Sequence, residues 1–300
     1  MDTDPQKWKL PVLAVVTGPG INIHAVRELS ESEQAKLAEF TALVASARNR
    51  FKLFTILKKN YSEWWEYTRS LLSPGDNLEP DEMLELDRLM LNYLSSAKSL
   101  LDHFKQHWTQ AHRNTDREAE FMKFIGKLEQ GCWAFAFFQD MRNYTQHCGL
   151  PIGNYSRNST ASSVTLSIQA DSEWLIDHFT GWKKSKLTKA KGRLDLLKLC
   201  RDYHVKLQHD FGNFVATEFA PNLLEAHNFL ACLANEAYKE RPDGEYRILT
   251  GLKVRPDGFD SKFTTPPSDL LGSLGISIRP KPSEEKQAEQ VGVGDSEEPV

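Results

Sequence analysis

Arg142-Asn143-Tyr144-Thr145-Gln146-His147 sets an always-charged guanidinium, a carboxamide and a titratable imidazole within six residues. Cleavage of RNA without a metal needs such groups. A base takes the 2′-hydroxyl proton, an acid helps the 5′ oxygen leave, and a cation steadies the extra negative charge on phosphorus. Histidine suits the proton steps because it titrates near neutral pH. Arginine suits phosphate because its planar fork makes charge-assisted, often bidentate hydrogen bonds. One histidine serves poorly as acid and base together, so the chemistry favours a symmetric dimer that supplies two of each group.

Spacing alone carries little weight, since an Arg and a His this far apart arise by chance about once in such a chain. Helical phase adds more. With Arg142 at zero and ~100° per residue, Gln146 falls near ~40°, Asn143 near ~100°, His147 near ~140° and Asp140 near ~160°. Trp133, Phe137, Met141, Tyr144 and Cys148 gather between ~180° and ~260°, giving an aromatic side opposite a polar one. Cys132 and Ala136 are small and lie on the polar side, leaving room for another helix or a ligand. Gly149 and Pro151 stop the helix just beyond the histidine.

Several elements must hold this stretch in place. Val12–Val16 reads as a buried strand, followed by a turn at Thr17–Ile21. Ser30 and Glu33 form a capping box that opens a first helix, which runs without Gly or Pro to Leu72. Ser73-Pro74-Gly75-Asp76 ends it. A second helix starts after Pro80, its apolar stripe running through Leu86, Met90, Tyr93, Ala97, Leu100 and Phe104. Beyond a turn at Arg113–Asp116, a third helix spans roughly Arg117 to His147. Three such helices with short connections make an antiparallel bundle.

Past Pro151 the pattern changes. Residues 154–163 read as a Ser/Thr/Asn-rich loop and Val164–Ile168 as a strand. Helices follow at Ser172–Phe179, Leu194–Phe219 and Asn222–Tyr238, then a strand at Glu245–Val254. The fold class is therefore mainly α: an antiparallel helical bundle with a few short strands, plus a mixed α/β C-terminal segment. Its expected divisions are residues 1–24 (strand and turn), 25–151 (bundle), 152–278 (mixed segment) and 279–300 (disordered tail).

Composition sets outer limits. The 300 residues carry a formal charge of −4, which argues neither for nor against a nucleic-acid partner. The sequence holds no apolar run of eighteen, and its start lacks the basic and apolar regions of a secretory signal. A cytoplasmic protein with no membrane partner is expected. Cys132, Cys148, Cys200 and Cys232 form no C-x-x-C pair and read as buried free thiols. Thr17-Gly18-Pro19-Gly20 lacks the Gly-Lys-Ser/Thr ending of a phosphate loop. No metal or cofactor is expected.

Lys183, Lys184, Lys186, Lys189, Lys191 and Arg193 form the densest basic run, preceded by Trp182. That run suits an RNA backbone, with the indole stacking a base; the plainer alternative is a solvated, flexible loop. His204 and His209 lie five apart and read as helix surface rather than as metal ligands. His103 and His107 lie four apart with no third ligand, and read as surface or interface residues.

Arg142-Asn143, three residues and His147 resemble the R-N-x-x-x-H form of the signature of HEPN domains, a superfamily of small helical bundles, many of them metal-independent ribonucleases. The continuation His147-Cys148-Gly149-Leu150-Pro151 is similar to bacterial HEPN-like proteins in which Gly-Leu-Pro soon follows the histidine. The likeness covers roughly residues 25 to 151. It implies a homodimer with a composite cleft, Arg142 on the scissile phosphate, His147 in proton transfer and Asn143 in support. It also implies a role in toxin–antitoxin or antiphage systems, with an antitoxin or regulatory protein as partner. Other members of the superfamily only bind, so a non-catalytic helical interaction protein is the competing expectation.

Overall fold

The structure is a computed structural model that describes residues 11–17, 22–73, 77–160, 162–240, 242, 245–255, 258–264 and 267–273. The described residues are mainly helical, with short antiparallel strands, and form two compact units. One unit comprises Met1–Thr41 and Ala220–Val300, the other Ala42–Phe219. Helices α1 (Glu31–Ser70) and α7 (Gly212–Glu240) contribute residues to both. The expected tail at residues 279–300 lies outside the described residues.

In the first unit, β1 (Val12–Thr17) is the buried strand its apolar run predicts, with Val12 to Val15 all inside. The chain then returns as β2 (Asn22–Glu28), where the sequence suggests no strand. Few apolar residues mark β2, because it is an edge in the order β2-β1-β6-β7. Strand β6 (Glu245–Arg255) pairs antiparallel with β1, setting Leu13 opposite Ile248, and β7 (Gly258–Thr264) closes the hairpin. Leu13, Val15, Leu29, Leu37, Leu230 and Ile248 build the core beside this sheet. The capping box at the start of α1 is present: the Glu33 amide donates to Ser30 Oγ and the Ser30 amide to Glu33 Oε2. Arg27 bridges two carboxylates, its Nη2 2.7 Å from Glu33 and its Nε 2.5 Å from Glu236. The guanidinium holds the Glu33 carboxyl down at about 2.

In the second unit, α2 (Pro80–Ala111) opens with Pro80 and a reciprocal box between Glu79 and Glu82. All six residues of its apolar stripe are buried. They meet an aromatic core that includes Trp64, Trp108, Phe121, Phe135 and Phe211. The expected third helix is two: α3 (Asp116–Gly131) and α4 (Trp133–His147). Gly131 weakens the helix here, and Cys132 is extended at φ −140°, ψ 102°. The Cys132 carbonyl then accepts from the Phe135 and Ala136 amides, which starts α4.

The segment expected as a loop after Pro151 holds β3 (Asn154–Ser159), paired along its length with β4 (Val164–Asp171). Its polar letters conceal period two: Tyr155 donates to Asp87 and Arg157 Nη2 donates to the Asn77 carbonyl. Asp171 caps α5 (Ser172–His178) by accepting from the Glu173 and Trp174 amides. Short β5 (Arg193–Asp195) completes a second sheet beside β4 and leads into α6 (Leu196–Lys206).

A π turn, Leu207–Phe211, joins α6 to α7. The buried residues Tyr203, Leu207, Phe211, Val215, Phe219 and Leu223 recur every fourth position. An α-helix would turn that row by ~40° per step, and the wider π turn takes up part of the drift. Helix α7 continues past Pro221, where the sequence suggests a stop at Phe219. No helix among the described residues is long and apolar enough to cross a membrane.

Candidate active site at the end of helix α4

Phe135, Phe137, Phe138, Met141 and Tyr144 anchor α4, and all five are buried. Phe135 and Phe138 lie against Tyr203, with ring centroids 5.5 and 5.2 Å away. Phe137 and Tyr144 lie against Trp182 at 5.7 and 5.9 Å. Phe135 and Phe138 fall near ~20° and ~320° in helical phase and Phe137, Met141 and Tyr144 near ~200–260°, so α4 is packed on two sides. Gln139, Asp140, Asn143, Gln146 and His147 lie on the arc between them.

That polar side is divided. Gln139 and Asp140, in the middle of the helix, are buried and occupied. Gln139 Nε2 donates to the Tyr203 hydroxyl at 3.3 Å. Asp140 Oδ2 accepts from the Lys184 amide at 3.0 Å, the Ser185 amide at 2.8 Å and Ser185 Oγ at 2.9 Å. Ala136 is buried as well, and Cys132 stands outside the helix, so neither leaves the expected space for a ligand. An open polar side remains only in the last turn and a half.

There Arg142 and Asn143 are half-buried, while Gln146 and His147 are exposed. Arg142 Nη1 donates to Gln146 Oε1, and its Nε is buried without an acceptor. Among the described residues no carboxylate pairs with Arg142, and neither the Asn143 nor the His147 side chain makes an internal hydrogen bond. Asn143 and His147 lie one turn apart on one face, whereas Arg142 and His147 differ by ~140° in phase. A single copy therefore groups the carboxamide with the imidazole and directs the guanidinium elsewhere. At Gly149 a Cβ would come within 3.2 Å of the Tyr144 hydroxyl, which favours glycine immediately after the helix.

The basic run is ordered and partly engaged. Lys184 Nζ pairs with Glu129 at 2.5 Å and Lys189 with Asp177 at 2.7 Å, while Lys191 Nζ sits 4.9 Å from the Trp133 ring centroid. Lys183, Lys186 and Arg193 are exposed and make no ion pair among the described residues. Trp182 is only 7% exposed and donates its Nε1–H to the Leu175 carbonyl, so it cannot stack a base. Nor is the run a free loop: Asp140 ties down its backbone and Leu187 is buried. Asp140 and His147 are seven residues apart on α4, so they share a face and lie about 10 Å apart along its axis. The anchored lysine loop and the imidazole are thus on the same side of the helix.

Other polar groups depart from their sequence reading. His204 is buried rather than on the helix surface, stacked on Tyr61 at 3.5 Å with its Nδ1 3.3 Å from the Tyr93 hydroxyl. Burial pushes it down to about 4. Asp87 accepts from the Tyr155 hydroxyl, and burial raises its carboxyl above the usual range. Of the four cysteines only Cys200 is buried; Cys148 and Cys232 are exposed and Cys132 is intermediate. Sequence reasoning passed over Arg50, which with His103 and His107 lines a cleft between α1 and α2. The available signal was the polar Ser46, Asn49 and Arg50 at helical spacing on α1.

No protein-family model, curated protein or solved structure matches this chain.

Proposed function

We propose that the protein is a metal-independent endoribonuclease of HEPN type, working from the last turn of α4 at a site completed by a second copy of the chain. His147 exchanges protons with the 2′-hydroxyl and the 5′ oxygen, one imidazole per copy acting in each step. Asn143, one turn before it, orients the imidazole or binds a non-bridging oxygen. Arg142 holds the scissile phosphate and stabilises its developing charge. A dimer suits the ~140° between Arg142 and His147, because facing copies can set the guanidinium of one opposite the imidazole of the other. Lys183, Lys186 and Arg193, which make no ion pair among the described residues, are left for the RNA backbone.

The observation that carries this reading is the contrast along α4. Asp140 accepts three internal hydrogen bonds and Gln139 donates one, whereas among the described residues the Asn143 and His147 side chains make none and Arg142 has no carboxylate partner. Polar groups kept from internal partners at an open helix end are available to a ligand. Toxin–antitoxin or antiphage function, with an antitoxin or regulatory protein as partner, belongs to the same proposal through the HEPN resemblance alone.

The test uses the full chain, a fluorescently labelled single-stranded RNA and excess EDTA. Cleavage should leave a 2′,3′-cyclic phosphate, and His147→Ala and Arg142→Ala should each reduce the rate by about 10²- to 10⁴-fold with unchanged melting. Intact RNA with the wild-type chain, or normal cleavage by both variants, removes the enzymatic reading and leaves the helical interaction protein.

A further inference from the structure

A cleft of about 440 Å³ lies within the second unit, between α1 and α2. Asn49 and Arg50 reach it from α1, and His103, Gln106, His107 and Gln110 from α2. On α2 these positions advance by three, one and three, the i, i+3, i+4, i+7 spacing that normally carries the apolar seam between packed helices. Here the seam positions bear imidazoles or amides, and among the described residues no Asp or Glu lines the cleft.

Arg50 is the central anomaly. Its Nη1 donates to the Ser46 carbonyl at 3.0 Å and to the Ser46 hydroxyl, and it has no carboxylate partner among the described residues. A half-buried guanidinium without an anion has lost hydration and gained little in exchange. Burial accordingly lowers its proton affinity. Glu218, the carboxylate whose charge acts on His107, is already taken: it lies 2.6 Å from His112 and 3.1 Å from Arg117. The His107 ring is held by stacking on Phe219 at 5.3 Å, so its place in the wall is defined. A guanidinium and two imidazoles thus border a cavity large enough for a small organic ligand, and among the described residues no carboxylate lines it to balance Arg50.

We propose that this cleft binds a small phosphomonoester with a polar body, its phosphoryl group held by Arg50, His103 and His107. The planar guanidinium fork matches two phosphoryl oxygens, and the imidazoles supply further N–H donors to a dianion. Asn49, Gln106 and Gln110 offer both donors and acceptors, which suits the hydroxyls of a sugar rather than an apolar tail. The proposal stands apart from the ribonuclease reading, since none of these residues lies on α4.

Binding should take up a proton. In the free protein burial and the Arg50 charge press His107 down to about 4, with His112 adding to the effect and Glu218 opposing it. A dianion beside the ring favours the protonated form, so ligand and proton bind together.

Isothermal titration calorimetry of the full chain with ribose 5-phosphate, inorganic phosphate and ribose tests the proposal. Ribose 5-phosphate should saturate one site, more tightly than inorganic phosphate, and ribose should not saturate. Runs near pH 6.5 in two buffers of different ionisation enthalpy should reveal proton uptake. Arg50→Gln should weaken binding about ten- to a hundred-fold. His103→Ala, at an exposed position that should not threaten folding, should weaken it severalfold. Absence of saturation by ribose 5-phosphate overturns the proposal. So does equal binding of ribose or of inorganic phosphate, and so does affinity unchanged in His103→Ala together with either Arg50→Gln or, should that variant not fold, Arg50→Lys.

Discussion

At the scale of single residues, Asp140 does work that the sequence hides. It sits two positions before Arg142 and reads as one more member of a polar helix face. In the fold it is buried and accepts three hydrogen bonds from Lys184 and Ser185. Replacing it by alanine strands the buried Ser185 amide and hydroxyl and the part-buried Lys184 amide, so Asp140→Ala should lose about 3 kcal/mol in urea unfolding, while Asp140→Asn, which keeps an acceptor, should lose less. A loss within about 0.5 kcal/mol for the alanine variant would show that the contact contributes nothing of note. The same contrast explains what the sequence could disclose about the site. Helical phase groups Phe137, Met141 and Tyr144 on one buried side of α4, but Phe135 and Phe138, near ~20° and ~320°, are buried against Tyr203 on the Arg142 side, so aromatic packing is not confined to one face. Phase cannot say which polar residues a distant loop will cover, and residues 184 and 185 settle that for Asp140.

At the scale of elements, short-range signals in the sequence predict elements that the fold contains, whereas contacts between distant segments leave no local mark. Capping boxes, Pro80 and the α2 stripe are rules of short range, and the helices they predict are present. Strand β3 was missed because its inward side chains are Tyr155 and Arg157, which owe their places to Asp87 and Asn77 rather than to apolar burial. His204 was misassigned for the same reason: its surroundings are aromatic rings from α1 and α2, invisible from its own helix. A pH dependence follows. The unfolded imidazole titrates near its ordinary 6.5 and the folded one at about 4. Stability from this group is therefore present above pH 6.5 and drains away as pH falls from 6.5 towards 4. Allowing for solvent screening, the loss between pH 7.5 and 5 should be about 1–2 kcal/mol. His204→Phe keeps a ring against Tyr61, and chemical denaturation at both pH values should show that part of the pH slope gone. An unchanged slope would assign the titration to other groups.

At the scale of the whole molecule, the proposed enzyme is a property of two chains. Dilution then gives a signature: specific RNA cleavage should fall once protein concentration drops below the dimer dissociation constant measured by analytical ultracentrifugation. Activity per chain that stays constant through that range would place a complete site in one copy. The first unit raises a different question of scale. Arg27 is bound to Glu236 across 209 residues, and β1 lies between β2 and β6. Neither the ion pair nor the sheet can form while the chain is still emerging from the ribosome and β6 has not been made. The second unit, Ala42–Phe219, contains its own aromatic core and has no such wait. Synthesis therefore imposes an order in which the segment Ala42–Phe219 can fold first, while β1, with Val12 to Val15 uncovered, must be kept from other strands until β6 has been made.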